Sequence, residues 1–212
     1  MANQKIIDSI KKARESEKRN FKQTFDLVIN LKNIDMRKSG NKIKLEVNIP
    51  NIAKQNIKIG LIVDSLASSA SNIDNVHIIR KEELENLGKN KKLVKKIAKD
   101  CDYFIAEAPL MPLVGKNLGS VLAPRNLMPK PVPPSANLEP LVEQAKKIVR
   151  IQLKDSPVIH LAIGREDMED EKIAENADTV IQRVISSLPK GREQIKNFVI
   201  KMTMGKPVKF VL

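Results

Sequence analysis

Two kinds of hydrophobic pattern divide this chain of 212 residues. Toward both ends, apolar and polar positions alternate. In Thr24–Leu31, Phe25, Leu27, Ile29 and Leu31 share one side, and Thr24, Asp26 and Asn30 the other. In Lys42–Ile49, Ile43, Leu45, Val47 and Ile49 oppose Lys42, Lys44, Glu46 and Asn48. In Asn197–Met204, Phe198, Ile200, Met202 and Met204 oppose Asn197, Lys201 and Thr203, and Val208–Leu212 follows a Gly205-Lys206-Pro207 turn. Val158–Ile163 sets His160 on the side of Val158 and Ala162. A period of two with one polar side predicts antiparallel strands, half covered and half solvated.

The middle third reads differently. Ile57–Val63, Val76–Ile79 and Tyr103–Ala108 are short and apolar on both sides, with helical patterns between them. One helix carries Leu93, Val94, Ile97 and Ala98 opposite a ladder of Lys91, Lys92, Lys95, Lys96 and Lys99. Another sets Leu138, Leu141, Val142, Ala145, Ile148 and Val149 at helical spacing, with Asn137 as N-cap and Pro140 in the first turn. Strands apolar on both faces that alternate with helices predict a parallel, doubly wound sheet.

The strand style changes near residue 57 and changes back near residue 151. The simplest account is an insertion. Residues 1–57 and 151–212 build a discontinuous α+β domain with an antiparallel sheet, and 58–150 form an inserted Rossmann-like α/β domain. Two chain crossings at one boundary favour hinge motion. Helices are expected at Gln4–Arg19 and at Met168–Leu188, the latter on a stripe of Ile173, Ala177, Val180, Ile181, Val184 and Leu188. The acidic run Glu166, Asp167, Glu169, Asp170 and Glu171 suits the positive end of that helix better than a metal site.

Charge narrows the choice of partner. With 38 basic and 25 acidic residues the net charge is +13, which favours a polyanion, nucleic acid first. Residues 1–57 hold 13 basic and 6 acidic residues, and residues 150–212 hold 11 and 9, so these segments carry +7 and +2 of that total. Five Phe, one Tyr and no Trp argue against base stacking as the main binding mode. The single cysteine, Cys101, leaves no intramolecular disulfide, and it reads as a buried small hydrophobe. The chain shows neither a signal-peptide core nor an apolar run of about 20 residues, so a soluble cytoplasmic protein without membrane attachment is expected.

Catalytic patterns find little support. His77 and His160 form no zinc motif. Gly115-Lys116 is followed by Asn117 rather than Ser or Thr, and Leu110 stands where a phosphate-binding loop has glycine. Gly60 opens no glycine fingerprint for a dinucleotide. No cofactor is expected.

The stretch Gly115 to Pro134, GKNLGSVLAPRNLMPKPVPP, joins a short helical piece to a strap fixed by Pro124, Pro129, Pro131, Pro133 and Pro134. It resembles the central signature of the universal large-subunit ribosomal protein L-one family, G-K-x-L-G-x-x-L-G-P-R-G-x-M-P-x-P. Ala123 and Asn126 stand at two of its glycines, and asparagine tolerates a left-handed backbone well. An F-x-x-T lead-in at Phe21–Thr24 and a terminal T-M-G at Thr203–Gly205 extend the resemblance over nearly the whole chain. The opening R-N-F-K-Q-T-F-D-L-V-I-N-L-K is similar to archaeal members.

Thr24 and Thr203 project from polar strand faces, where a hydroxyl can meet a ribose 2′-OH, a phosphate or a base edge. Gly205 admits a close backbone, and Met204 offers a polarizable apolar cap. Each has an ordinary structural reading as well. The resemblance implies RNA contacts at Phe21, Lys22, Gln23, Thr24, Thr203, Met204 and Gly205, and more weakly at the turn Lys154, Asp155 and Ser156. It further implies a monomer that binds rRNA at the mobile stalk of the large subunit, helps tRNA leave the exit site, and represses its own mRNA. Lys116, Arg125 and Lys130 are candidates to meet tRNA, with a solvated surface as the equal alternative. Two other functions remain open: a nucleotide-binding enzyme using the middle domain, and an RNA regulator outside the ribosome.

Overall fold

The computed structural model describes residues 2–17, 19–34, 43–54, 56–64, 66, 73, 75–153 and 156–211. In chain order its elements begin with helix α1 (Ala2–Arg14) and strands β1 (Thr24–Leu31), β2 (Lys44–Asn48), β3 (Ile59–Val63) and β4 (Val76–Arg80). Helices α2 (Lys81–Lys89) and α3 (Lys91–Asp100), strand β5 (Tyr103–Glu107) and helices α4 (Met111–Asn117) and α5 (Gly119–Leu122) follow. Strand β6 (Lys130–Val132), helix α6 (Leu138–Lys146), strands β7 (Ile148–Gln152) and β8 (Val158–Arg165), helix α7 (Asp170–Ser187) and strands β9 (Ile195–Met202) and β10 (Val208–Phe210) complete the chain. The fold is mixed α/β, with an antiparallel and a parallel sheet. Two compact units result, residues 1–55 with 147–212, and residues 56–146.

In the first unit the strands order β10-β9-β1-β8, every neighbour antiparallel. Phe25, Leu27, Ile29 and Leu31 point to one side, as their alternation predicts, and are buried with Ile6, Ile10 and Ala13 of α1 and Ile173, Ala177, Val180 and Val184 of α7. Burying each large aliphatic or aromatic side chain contributes about 1.5–3 kcal/mol, so this one-sided packing holds both helices to the sheet. The phenyl rings of Phe198 and Phe210 stack with centroids 5.4 Å apart and secure the short edge strand. The opposite side of β1, Thr24, Asp26, Val28 and Asn30, stays half-exposed.

Several elements differ from the sequence reading. Ile148 and Val149 do not extend the preceding helix. They open β7, which pairs with β2 in a separate antiparallel ribbon in the register Val47↔Val149 and Leu45↔Ile151. The buried stripe of α6 ends with Leu138, Val142 and Ala145, and the β-branched run Ile148, Val149 and Ile151 fits a pleated surface better than a helix. Within the expected strand Lys42–Ile49, Lys42 lies outside the described residues. Helix α1 stops at Arg14, short of Arg19. Strand β9 ends at Met202, which leaves Thr203 and Met204 in the following turn.

In the second unit the parallel strands order β4-β3-β5-β6. Every residue of β3 and β5 is buried, which matches their two-sided apolar pattern. Strand β4 departs from that pattern. It lies at the sheet edge with His77 and Arg80 exposed. Leu93 also sits off the buried stripe of α3, which is Val94 and Ala98, and is 49 % exposed among the lysines. Pro131 falls in β6, the other edge, where a missing backbone donor is tolerated. Cys101 follows α3 and is buried. Burial, then Asp100 and Asp102, push its thiol up to about 11 against the pull of Lys58.

The two departures from the glycine-rich signature have separate explanations. Asn126 takes φ +55°, the left-handed conformation that glycine would supply. Ala123 has φ −62° and ψ −47°, ordinary helical backbone that asks nothing of glycine.

Candidate nucleic-acid interface

Strand β1 begins where three other segments converge. Thr24 pairs with Arg165 of β8 on one side. On the other side it meets Thr203, whose backbone N–H donates to the Thr24 carbonyl at 3.1 Å. The Thr203 hydroxyl accepts from the Thr24 N–H at 3.1 Å and reaches back to the Thr24 carbonyl at 3.4 Å. The two threonines are therefore a single hydrogen-bonded unit, and Thr203 remains exposed to solvent.

Gln23 is the internal strut of this patch. Only 1 % exposed, it accepts from the Met204 N–H through Oε1 at 3.1 Å. Its own N–H donates to Oε2 of Glu166 at 3.0 Å, and the Glu166 N–H returns a bond to the Gln23 carbonyl at 2.9 Å. Its side chain cannot touch a ligand, so its part is to position the Thr203–Gly205 turn. Phe21, 50 % exposed, and Met204, 62 % exposed, flank the patch as apolar surfaces.

Gly205 is required by its own neighbours. A β-carbon there would come within 2.9 Å of Ser16 Oγ and 3.0 Å of Met202 Cβ. The same Ser16 hydroxyl accepts from the Lys206 N–H at 3.3 Å. Close approach at this glycine thus serves the turn itself, in keeping with the ordinary turn reading of Gly205-Lys206-Pro207.

Ion pairs brace the rim. Arg14 donates to Asp170 Oδ1 at 2.7 and 3.0 Å and to the carbonyls of Glu166 at 2.6 Å and Met168 at 2.8 Å. Its guanidinium also lies 5.2 Å from the centre of the Phe25 ring. Asp167 faces Lys22 Nζ at 3.4 Å and Arg165 Nε at 3.2 Å. Only Asp170 and Glu171 fall in the first turn of α7. Glu166 and Asp167 precede the helix and serve this patch instead. Sequence reasoning missed Arg14, Ser16, Arg165, Glu166 and Asp167, since the helix dipole alone accounted for the acidic run.

Beyond the patch, the half-exposed sheet face carries Asp26, Asn30, His160, Asn197 and Lys201. Asn30 donates to Asn197 across β1 and β9 at 2.6 Å. Burial raises the pKa of the Asp26 carboxyl, while Lys201 and His160 pull it down.

The other candidates lie elsewhere. Ser156 is exposed just before Val158, which pairs with Asn30 near the far end of β1. The structure therefore does not bring it to the Thr24 end, and Lys154 and Asp155 lie outside the described residues. Lys116, Arg125 and Lys130 are exposed on the second unit, in the last turn of α4, the turn after α5 and the start of β6.

The place where a doubly wound sheet receives nucleotide phosphates lies at the carboxyl ends of β3 and β5, where the strand order reverses. There the backbone N–H groups of Asp64 and Leu66 both donate to Oε1 of the buried Glu107 at 3.0 Å. An internal carboxylate holds the donors that a phosphate would use. Gly60 serves packing, because a β-carbon there would meet the Phe104 ring at 2.4 Å. Among the described residues, no group of three or more His, Cys, Asp or Glu side chains could hold a metal ion, and no helix is long and apolar enough to cross a membrane.

Fold and site together define a class, a two-unit mixed α/β protein with a braced polar patch at one end of an open antiparallel sheet. The sequence profile of the Ribosomal protein L1p/L10e family matches residues 12–206, and the chain belongs to that family. It is 48% identical over 208 residues to the large ribosomal subunit protein uL1 of Thermococcus kodakarensis, covering 97% of this chain and 96% of that protein. It is 46% identical over 211 residues to the protein of the same name from Methanocaldococcus jannaschii, covering 99% and 96%. With that from Methanothermobacter thermautotrophicus it shares 44% identity over 210 residues, covering 98% and 99%. The resemblance to archaeal members of this family is thereby borne out, and these relatives are named as a ribosomal protein, not as an enzyme.

Proposed function

We propose that this chain is a structural constituent of the large ribosomal subunit, cytoplasmic and ribosome-bound, and that it grips rRNA at the Thr24 end of its antiparallel sheet. The observation that carries the reading is the meeting of Phe21–Thr24 with Thr203–Gly205, joined by the Thr24–Thr203 and Gln23–Met204 hydrogen bonds. That junction presents a hydroxyl, exposed apolar surfaces at Phe21 and Met204, and Lys22 paired with the Asp167 carboxylate. Such a mixture suits the sugar edge of a folded RNA, where 2′-hydroxyls and phosphates are read together. Bonds already made inside the protein hold the turn in place before RNA arrives, which lowers the ordering cost of association.

In this reading the rRNA element is the mobile stalk near the tRNA exit site. A similar fold in the protein's own mRNA competes for the same patch, so the free protein, a monomer, represses its synthesis. Lys116, Arg125 and Lys130 meet exit-site tRNA on the second unit. A salt-titrated binding assay against the rRNA stalk fragment, with an unrelated duplex of equal length as competitor, tests the central claim. Binding that survives high salt and excess competitor is expected. Binding that collapses with salt and ignores the RNA fold would mean that the +13 charge is only a general polyanion attraction.

A further inference from the structure

Asp167 lies three residues ahead of α7, outside its first turn. Its carboxylate stands between two cations from different elements, the exposed Lys22 from the lead-in to β1 at 3.4 Å and the buried Nε of Arg165 from the end of β8 at 3.2 Å. The third cation of this rim, Arg14, is held by Asp170 and two carbonyls. The unit with the larger share of positive charge thus compensates that charge where the candidate RNA contacts lie. By contrast the lysines of α3 are exposed and form no ion pair among the described residues.

We propose that Asp167 is a specificity-determining residue that withholds Lys22 from phosphates and favours hydroxyl donors in their place. This rests on the RNA-binding reading above. A duplex held only by its phosphates meets Lys22 with the carboxylate already beside it, so the contact brings it little. A ribose 2′-hydroxyl, in contrast, can donate to that carboxylate while leaving both ion pairs intact. The carboxylate therefore lowers affinity for generic polyanions more than for an RNA that fits the patch.

The test is Asp167→Asn in the full chain, compared with Glu193→Gln. The latter makes the same charge change on an exposed residue just before β9, about 25 Å of strand from Thr203. Each protein is titrated with salt against the rRNA stalk fragment and against an unrelated RNA duplex. Asp167→Asn is expected to bind the unrelated duplex about threefold or more tightly, with a log–log salt slope steeper by about one. Affinity for the stalk fragment should not rise, so the preference for it falls. Adding Lys22→Gln should remove most of the gain on the duplex. A wild-type preference kept at an unchanged ratio in Asp167→Asn, or an equal gain in Glu193→Gln, would overturn the role of Asp167 alone. A wild-type protein with no preference for the stalk fragment would overturn the RNA-binding reading itself, and this inference with it.

Discussion

The two four-stranded sheets among the described residues solve the problem of a polar edge in opposite ways. In the antiparallel sheet, helices cover one face, and the chain's polar groups gather on the other face and at the end beside Thr24. In the parallel sheet, both central strands are buried on both faces, and at the position open to ligands in many such sheets the loop donors are taken up from within by Glu107. The difference teaches that a nucleotide-binding topology does not entail a nucleotide site. The loop donors are present, but they are committed to a carboxylate of the protein's own.

The sharpest way to break the comparison is at Gly60. Gly60→Ala drives a methyl against the Phe104 ring and should destabilise the second unit by about 2–3 kcal/mol, read by urea unfolding. Affinity for the rRNA stalk fragment should stay within about twofold under native conditions, since the proposed grip lies in the first unit. A large loss of affinity in a folded Gly60→Ala protein would count against that separation.

Gln23→Leu probes the other side. It removes the acceptor of the Met204 N–H without exposing new surface, and should cost about 1–2 kcal/mol of stability. Affinity for the stalk fragment should fall about tenfold as the turn loosens. Since Gln23 is buried, intact affinity would show that the turn needs no internal strut.

Thr203→Val, nearly isosteric, deletes the acceptor of the Thr24 N–H. Because this site is exposed, water can take over part of the bond, so a loss of about 1 kcal/mol in RNA binding is expected, with little change in melting temperature. Unchanged affinity would exclude the hydroxyl from the interface.

The smallest effect concerns Asp26 on the open face. Its pKa is raised from 3.8 by burial, with Lys201 and His160 opposing. The carboxyl therefore binds its proton more tightly when folded than when unfolded. Its contribution to stability is largest below the unfolded value and declines as pH rises through the raised folded value. Asp26→Asn should raise the urea midpoint slightly at neutral pH, and the gain should vanish near pH 3. A gain that grows on acidification would reverse the sign of this account.

Much of this contrast was legible in the residues. Strict alternation in Thr24–Leu31 announces a strand with one bare face, and the all-apolar Ile59–Val63 announces one with none. The ribbon of β2 and β7 was not legible. Ile148 and Val149 continue the helical spacing of Leu141 and Ala145, and only pairing with Val47, about a hundred residues away, decides for a strand. At the site, Phe21–Thr24 and Thr203–Gly205 stand out as motifs, while their supports do not. Arg14, Ser16, Glu166 and Asp167 act through partners more than 140 residues distant, and each has a sufficient local explanation within its own segment.

The buried thiol of Cys101 gives the second unit a chemical clock. It is the only cysteine in the chain; burial and two neighbouring aspartates push its pKa up to about 11, which makes its thiolate scarcer still, and burial shields the sulfur from alkylating reagents. Modification must wait for the segment between α3 and β5 to open, and when closing is fast its rate reports the free energy of that opening. Pulse labelling of this one natural sulfur atom would therefore time the fluctuations of the parallel sheet with and without added RNA, with no residue substituted beforehand.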